Sequence, residues 1–319
     1  MVAHLRTSSI ACLALVCAAA GLRAQDAAKG AALLGEARQA VGGDARLTAV
    51  RTLDVRGEFK RLAGQTTIDG ELQIRVELPD KWRRDEDLSP PGGGPAIIRT
   101  EVLNGSTVWE ENSGRGGFFV GGFGRFGRGD RGGGGGFGGG GGGGGGRDGR
   151  GDAPADPAQI EAAQRRAWRG ELTRFLLVWL LNAGGQVAWV ATAEAPEGRA
   201  DVLEITASDA PSLRLFLDQT SHLPLMITWQ GTAPQFVAAG RRGGGGRGDD
   251  GRGDGGRGDR GDGGGPQASL QMTLGEYKTV NGLRLPHLIT RGANDMTTEE
   301  WTIDSYRINQ TFRADVFTK

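Results

Sequence analysis

Apolar and polar residues alternate with a period of two over much of this chain. Leu53, Val55, Gly57 and Phe59 interleave with Asp54, Arg56, Glu58 and Lys60. The next run is clearer: Ile68, Gly70, Leu72, Ile74, Val76 and Leu78 against Asp69, Glu71, Gln73, Arg75 and Glu77. Such alternation predicts strands with one dry and one wet face, because successive side chains leave opposite sides of the backbone. Pro79-Asp80 ends this run, and Trp82 opens another, charged strand. Thr100 to Leu103, Asn104-Gly105 and Ser106 to Glu111 read as a hairpin, since Asn-Gly favours the positive φ angles of a tight turn. Further strands are predicted over 186–192, 201–207, 213–217, 223–229, 268–278, 283–291 and 297–307. Turn residues at Asp218 to His222, Asn281-Gly282 and Gly292 to Asp295 separate several of them. Hairpin after hairpin implies an antiparallel meander.

Two segments follow the helical period instead. Ala31, Leu34, Ala37 and Val41 predict a helix over Ala27 to Val41, stopped by Gly42-Gly43, and Asp44 is a candidate cap for a short turn through Ala45 and Leu47. A longer helix starts at Asp156-Pro157, with proline at the first helical position, and runs to Ala183 before Gly184-Gly185. Its apolar stripe comprises Ile160, Ala163, Ala167, Leu172, Phe175, Leu176, Trp179, Leu180 and Ala183. Phe175 to Leu181 is apolar all round, so that half needs deep cover, and it is too short to span a bilayer.

Two glycine-rich inserts, 113–152 and 240–265, hold about two thirds of the 59 glycines. Glycine at that density builds no packed core, so both are expected to be disordered loops of one domain, 25–319. The first 24 residues have the three parts of a signal peptide: Arg6, an apolar run from Ile10 to Ala20, and small residues with cleavage after Ala24 or Ala20. An exported, soluble, periplasmic protein is expected. Both cysteines, Cys12 and Cys17, leave with that segment, which removes disulfide, thiol and thiolate-metal chemistry from the mature chain. Net charge is zero, so no global field draws the chain to nucleic acid or membrane.

Six Arg-Gly-Asp tripeptides begin at Arg128, Arg150, Arg247, Arg252, Arg257 and Arg260, as expected by chance in a segment written from three residue types. Arg-Gly-Gly runs with Phe118, Phe119, Phe123, Phe126 and Phe137 fit single-stranded nucleic acid, but the export signal and the interleaved aspartates oppose that partner. His222 and His287 each lie close to a proline at a strand edge, with no third ligand to complete a metal site. Glu299-Glu300 and Asp85-Glu86-Asp87 are adjacent along strands and so point to opposite faces, which makes no acid/base pair. No nucleophile and base are identified, and no enzyme, cofactor or metal is expected. The seven tryptophans serve as core, or some of them line an apolar groove under the long helix.

The hairpin Val102 to Trp109 resembles the "DGxxLW" hairpin of the outer-membrane lipoprotein carriers, a LolA/LolB-like family. Leu213 to Trp229 is similar to that family's "LxLDxxTxLPxxI" strand-turn-strand, and Gly275 to Thr290 and Thr297 to Asn309 resemble its lipoprotein-sorting-like tails. The resemblance implies a mainly β (α+β) fold: a strongly curved, unclosed antiparallel sheet, or half-barrel, whose concave face is covered by helices. It implies carriage of acyl chains of a lipid or lipoprotein between sheet and helical lid, with transient membrane contact and a monomeric state. The groove candidates are Ile68, Leu72, Ile74, Val76, Trp109, Leu172, Phe175, Leu176, Trp179, Leu213, Leu215 and Trp229. The alternative is a non-catalytic envelope scaffold or sensor whose inserts bind a partner or surface. An open groove under the long helix favours the carrier, and a filled core favours the scaffold.

Overall fold

The computed structural model describes residues 26–63, 66–88, 97–113, 156–181, 185–195, 198–206, 212–232 and 267–319. The signal segment, the six Arg-Gly-Asp tripeptides and almost all of both inserts lie outside the described residues. Helix α1 covers residues 26–41 and α2 is Asp44–Ala49. Five strands follow: β1 (Thr52–Ala63), β2 (Thr66–Glu77), β3 (Lys81–Leu88), β4 (Ile97–Asn104) and β5 (Thr107–Ser113). After α3 (Pro157–Val178) come β6 (Gln186–Ala195), β7 (Gly198–Thr206), β8 (Leu213–Asp218), β9 (Pro224–Thr232), β10 (Gln267–Val280), β11 (Leu283–Ala293) and β12 (Met296–Ile308).

All twelve strands form one antiparallel sheet in the order β5-β4-β3-β2-β1-β12-β11-β10-β9-β8-β7-β6. Every neighbour is a sequence neighbour except at the centre, where β1 pairs with β12 from Leu53↔Ile308 to Arg61↔Glu299. The chain thus walks outward from β1 to one edge, crosses to the far edge, and walks back. The edges β5 and β6 do not pair, so the sheet is an unclosed half-barrel, and α3 is the described element between them.

The period-two pattern sets which face is dry. The ladder places Leu53, Val55 and Phe59 of β1 beside Val76, Ile74 and Gly70 of β2, and beside Ile308, Tyr306 and Trp301 of β12. This face carries α3. Phe175 of α3 stacks on Trp301 at 5.3 Å and on Trp179 at 5.6 Å, and Trp179 meets the edge of Tyr306 at 6.3 Å. Offset and edge contacts of this kind add about 1 kcal/mol each to the burial itself. Helix α1 shares the cover: Ala37 and Val41 are buried, and Gly30 lies so near the β6 backbone that a Cβ there would come within 2.7 Å of Trp189 N.

Two turns differ from the sequence expectation. Asn104 pairs with Thr107, so the turn is Gly105-Ser106, one residue later than Asn104-Gly105. Helix α3 ends at Val178 rather than Ala183. Leu180 takes a left-handed φ of 51°, Leu181 N–H donates to the Leu176 carbonyl at 2.9 Å and Leu180 N–H to Leu177 at 3.0 Å. That is a Schellman stop, ordinarily built on glycine. Burial of the Leu180 side chain and a hydrogen bond from Arg38 to its carbonyl offset the strain.

Gly57 sits where the β1–β12 register shifts, and a Cβ there would fall 2.1 Å from the Thr302 carbonyl oxygen. Gly57→Val should therefore cost about 2 kcal/mol or more. Gly35→Ala, on α1 where nothing lies within 4 Å, should be neutral or stabilise by up to about 1 kcal/mol. Urea unfolding midpoints of the two variants check this, and equal midpoints would refute the seam's tight packing.

Candidate functional site

The concave face under α3 holds two zones, one apolar and one charged. The helix begins at Asp156, whose carboxylate accepts the Ala158 N–H at 3.0 Å, with Pro157 where no amide partner is needed. From Trp168 onward it is largely buried. Glu171 lies three residues after Trp168 and four before Phe175, so helical spacing puts it on the buried stripe.

Glu171 is met from three directions. Arg291 of β11 approaches its carboxylate at 3.0 Å, Arg174 of its own helix at 2.6 Å and Arg84 of β3 at 3.6 Å. Strands β3 and β11 are four spacings apart, about 19 Å on a flat sheet. One carboxylate reaches both because the sheet curves around the helix. The network continues along the sheet. Arg61 holds Glu86 at 2.7 Å and Glu299 at 2.6 Å, and Arg84 holds Glu86 at 3.1 Å and Glu101 at 3.3 Å. Arg99 pairs with Glu101 and, at 3.2 Å, with Glu110 near the β5 edge. All but Glu110 are buried.

Burial alone would raise the Glu171 carboxyl, but Arg291, Arg174 and Arg84 overcome it and bring its pKa down to about 2. Glu86 is likewise raised by burial and lowered further by Arg61 and Arg84, ending well below the ordinary carboxylate range. Burial opposes the charge on Arg61, and Glu299 and Glu86 more than restore it.

The second zone is apolar. Leu203, Leu213, Leu215, Ile227, Trp229, Leu270 and Met272 line β7 to β10 and are all buried. Asp201 is the buried charge on these strands, and it accepts from Trp189 Nε1 at 3.0 Å. The Arg174 guanidinium lies 4.7 Å over Trp229, at the boundary between the zones.

Eleven of the expected groove residues, namely Ile68, Leu72, Ile74, Val76, Leu172, Phe175, Leu176, Trp179, Leu213, Leu215 and Trp229, join this one buried cluster. Trp109 does not. It pairs with Val102, which pairs with Arg83, and the Arg83 guanidinium lies 5.9 Å over its ring on the opposite face. The space between α3 and the sheet is filled by the side chains themselves: Phe175, Trp179, Leu180, Leu215, Ile227 and Trp301 are at most 1% exposed. The apolar sheet surface is covered by α1 together with the aromatic residues of α3.

A cavity of 510 Å³ opens on the other face, lined among others by Arg56, Glu58, Glu71, Gln73, Arg75, Arg83, Asp85, Asp87 and Asp304. Much of its charge is spent internally. Arg83 grips Asp85 through Nε at 2.8 Å and Nη2 at 2.9 Å, Thr100 donates to Asp85 at 2.7 Å, and Gln73 donates to Asp54 at 2.7 Å. Among the described residues no group of His, Cys, Asp and Glu is arranged to hold a metal ion, and no helix is long and apolar enough to cross a membrane. His287 donates from Nδ1 to the Ile303 carbonyl at 2.6 Å, and His222 lies 3.4 Å from Glu36 in a turn.

The charged zone is absent from the sequence expectation, although the chain signals it. Arg61 continues the parity of Leu53, Val55 and Phe59. Arg291 continues that of Leu285 and Ile289, and Glu299 that of Trp301 and Ile303. A charge on the dry parity needs a partner there.

No protein-family model and no curated protein matches the chain. Solved structures are similar in fold. The LolA superfamily protein NE2245 from Nitrosomonas europaea is 10% identical, with 91% of this chain and 97% of that chain covered at a TM-score of 0.43. A domain described as an outer membrane lipoprotein-sorting protein from Vibrio parahaemolyticus is 12% identical over 92% and 97% at 0.40. A DUF1329 family protein from Desulfovibrio piger is 7% identical over 90% and 96% at 0.41. Two of the three carry the family description that the hairpin motifs resemble. At these identities and TM-scores they carry no argument about function.

The depressed carboxyl of Glu171 sets a pH window. The folded protein binds fewer protons than the unfolded chain between the ordinary glutamate value of 4.5 and about 2. Its contribution is therefore complete above pH 4.5 and is lost as pH falls toward 2. The thermal midpoint should drop through this window. In Glu171→Gln the midpoint at pH 7 should be lower, but the drop should be shallower. Parallel midpoint–pH curves would contradict the assignment.

Proposed function

We propose that this protein is an exported, non-catalytic carrier or binder of a lipidic ligand, with α3 as the lid over the concave face. One observation carries the reading: among the described residues, α3 makes no backbone hydrogen bond to the sheet. The ladder from β5 to β6 is complete without it. Helix α3 can therefore withdraw without breaking a strand pair, and it leaves a curved apolar surface that water disfavours. An acyl chain covers such a surface at about 0.8 kcal/mol per buried methylene and needs few directional contacts. The signal-like first 24 residues support a periplasmic place of work. With α3 seated on the sheet, the apolar surface is covered.

A second reading is favoured by a specific observation. The concavity is already filled by Phe175, Trp179 and their neighbours, as in a scaffold whose sheet only displays its inserts. The two readings separate on purification of the mature protein from its native envelope, native mass spectrometry, and extraction of bound material. A co-purifying lipid or acylated peptide is expected, and deletion of the two inserts, 113–152 and 240–265, should leave its binding intact. A clean apo mass together with no uptake of a fluorescent fatty acid would end the carrier reading and leave the scaffold.

A further inference from the structure

On its outer, convex face the sheet already holds one peptide segment, the chain's own. After β12 the chain passes the start of β1, where the Thr52 hydroxyl donates to the Gln310 carbonyl at 2.6 Å, and reaches β3 and β4. There Arg83 donates to the Val316 carbonyl at 2.8 Å and Asn104 to the Phe317 carbonyl at 3.4 Å. The Phe317 side chain is buried, with Phe312 edge-on at 5.8 Å and the Lys81 ammonium 5.8 Å from the ring centre. It is no part of the apolar cluster beneath α3. Among the described residues, the segment after Asn309 makes no backbone–backbone hydrogen bond to the sheet. Its own are two tight turns, from Val316 N–H to Arg313 and from Thr318 N–H to Asp315. An aromatic anchor and a few side-chain bonds to carbonyls hold it, so it can leave without breaking a strand pair.

The seat of this segment continues into the 510 Å³ cavity, and Arg83 is shared by both. Its Nη1 holds Val316, while its Nε and Nη2 grip Asp85 of the cavity lining at 2.8 and 2.9 Å. Beyond Asp85 the register sets Glu58 of β1, Glu71 of β2 and Asp87 of β3 directly opposite one another, and all three line the cavity. Like charges so placed repel. Among the described residues none of the three is in an ion pair, whereas the arginines of the lining, Arg56, Arg75 and Arg83, pair with Asp54 and Asp85. Lys60, the next cation on that face of β1, stands opposite Asp69 and Glu300 and leaves the excess negative. The carboxylates form a row, about 4.8 Å from strand to strand, and are not gathered as a metal ion needs. The chain's own segment leaves the row unanswered, because its cation, Arg313, is exposed and pairs with Asp315. We propose that this face docks an extended segment of a partner protein, with an aromatic anchor for the Phe317 seat and basic side chains for the row of Glu58, Glu71 and Asp87. Arg83 and Asp87 are four residues apart, about 13 Å along a strand, so the basic residues lie about four positions from the anchor. A tethered segment is present at millimolar effective concentration. A partner that offers the anchor alone therefore loses to it, and one that also answers the carboxylates displaces it.

The test uses the mature full chain and three labelled synthetic peptides, followed by fluorescence anisotropy. One carries Val-Phe flanked on both sides by Lys-Ser repeats. The second has Glu-Ser repeats instead, and the third keeps the Lys-Ser repeats with Ala in place of Phe. The first should bind wild type about tenfold tighter than either of the others, and its preference over the Glu-Ser peptide should shrink at high salt. Phe317→Ala vacates the seat, so where circular dichroism shows it folded the first peptide should bind about tenfold tighter than to wild type. In Asp87→Asn the preference for lysine should fall severalfold. The wild-type comparisons need no variant. Equal affinity of the Lys-Ser and Glu-Ser peptides would overturn the basic partner, and equal affinity with and without Phe would overturn the anchor. No binding of the first peptide to wild type would overturn the proposal as a whole. A wild-type dimer in sedimentation that Phe317→Ala abolishes would give the seat to a second copy and overturn the partner. None of these outcomes touches the reading of the concave face.

Discussion

A carboxylate buried among three guanidinium groups fixes where everything else must lie. Glu171 ties its helix to β3 on one half of the sheet and to β11 on the other, so both halves must curve toward one point. The pairing adds little net stability, because the cost of taking charges out of water cancels most of the attraction. Its effect is on placement. Sliding α3 by one turn would bring Ala167 or Phe175 to the position of Glu171 and leave buried arginines without that carboxylate. Breaking such a pair costs about 3–5 kcal/mol, a penalty that singles out one seat for the helix among several that are equally apolar. Arg61 does the same for the sheet. It joins Glu86 of β3 to Glu299 of β12 across the central seam, where the two ends of the chain's excursion meet.

The topology explains why one helix bears this duty. A meander that starts and finishes at the centre of a sheet must cross from edge to edge once, and here it crosses through α3. A twelve-stranded face is wider than one helix can cover. Curvature reduces the area, α1 takes a share, and the aromatic residues Phe175, Trp179 and Trp301 fill what remains. Close approach on either side of β1 is bought with glycine: Gly57 meets the Thr302 carbonyl of β12, and Gly70 of β2 leaves room for the Phe59 ring.

Local patterns made much of this legible. Alternation located the strands, Asp156-Pro157 located the start of α3, and helical spacing identified its buried stripe, because each of these is decided within a few residues. What alternation cannot show is the content of a dry face that is itself charged. Strand β3 reads Trp82-Arg83-Arg84-Asp85-Glu86-Asp87-Leu88, with charge on both parities, so it looks like a strand wet on both sides. Its inner charges are buried only because Arg61, Glu101 and Glu171 arrive from elsewhere in the chain. Trp109 failed for the opposite reason: an aromatic residue in a hairpin looks like core, and only the register from Arg83 through Val102 shows which face it takes. The end of α3 was missed because a leucine, Leu180, stands where the stop signal is ordinarily glycine.

A filled concavity and a carrier are compatible once the closed state is treated as a competitor. An exposed apolar surface of this extent would recruit other chains, so a binder that spends time empty needs a cover. The cover must match the surface in chemistry yet be held by side chains alone, and α3 meets both conditions. Ligand affinity is then a difference between two burials of similar kind. The methylenes of a long chain replace the side chains of the plug one for one, and the large hydrophobic terms nearly cancel. The charged contacts do not cancel in the same way: Glu171, held by Arg291, Arg174 and Arg84, fits one seat on the sheet, so the buried charges set where the helix closes while the apolar residues set how firmly.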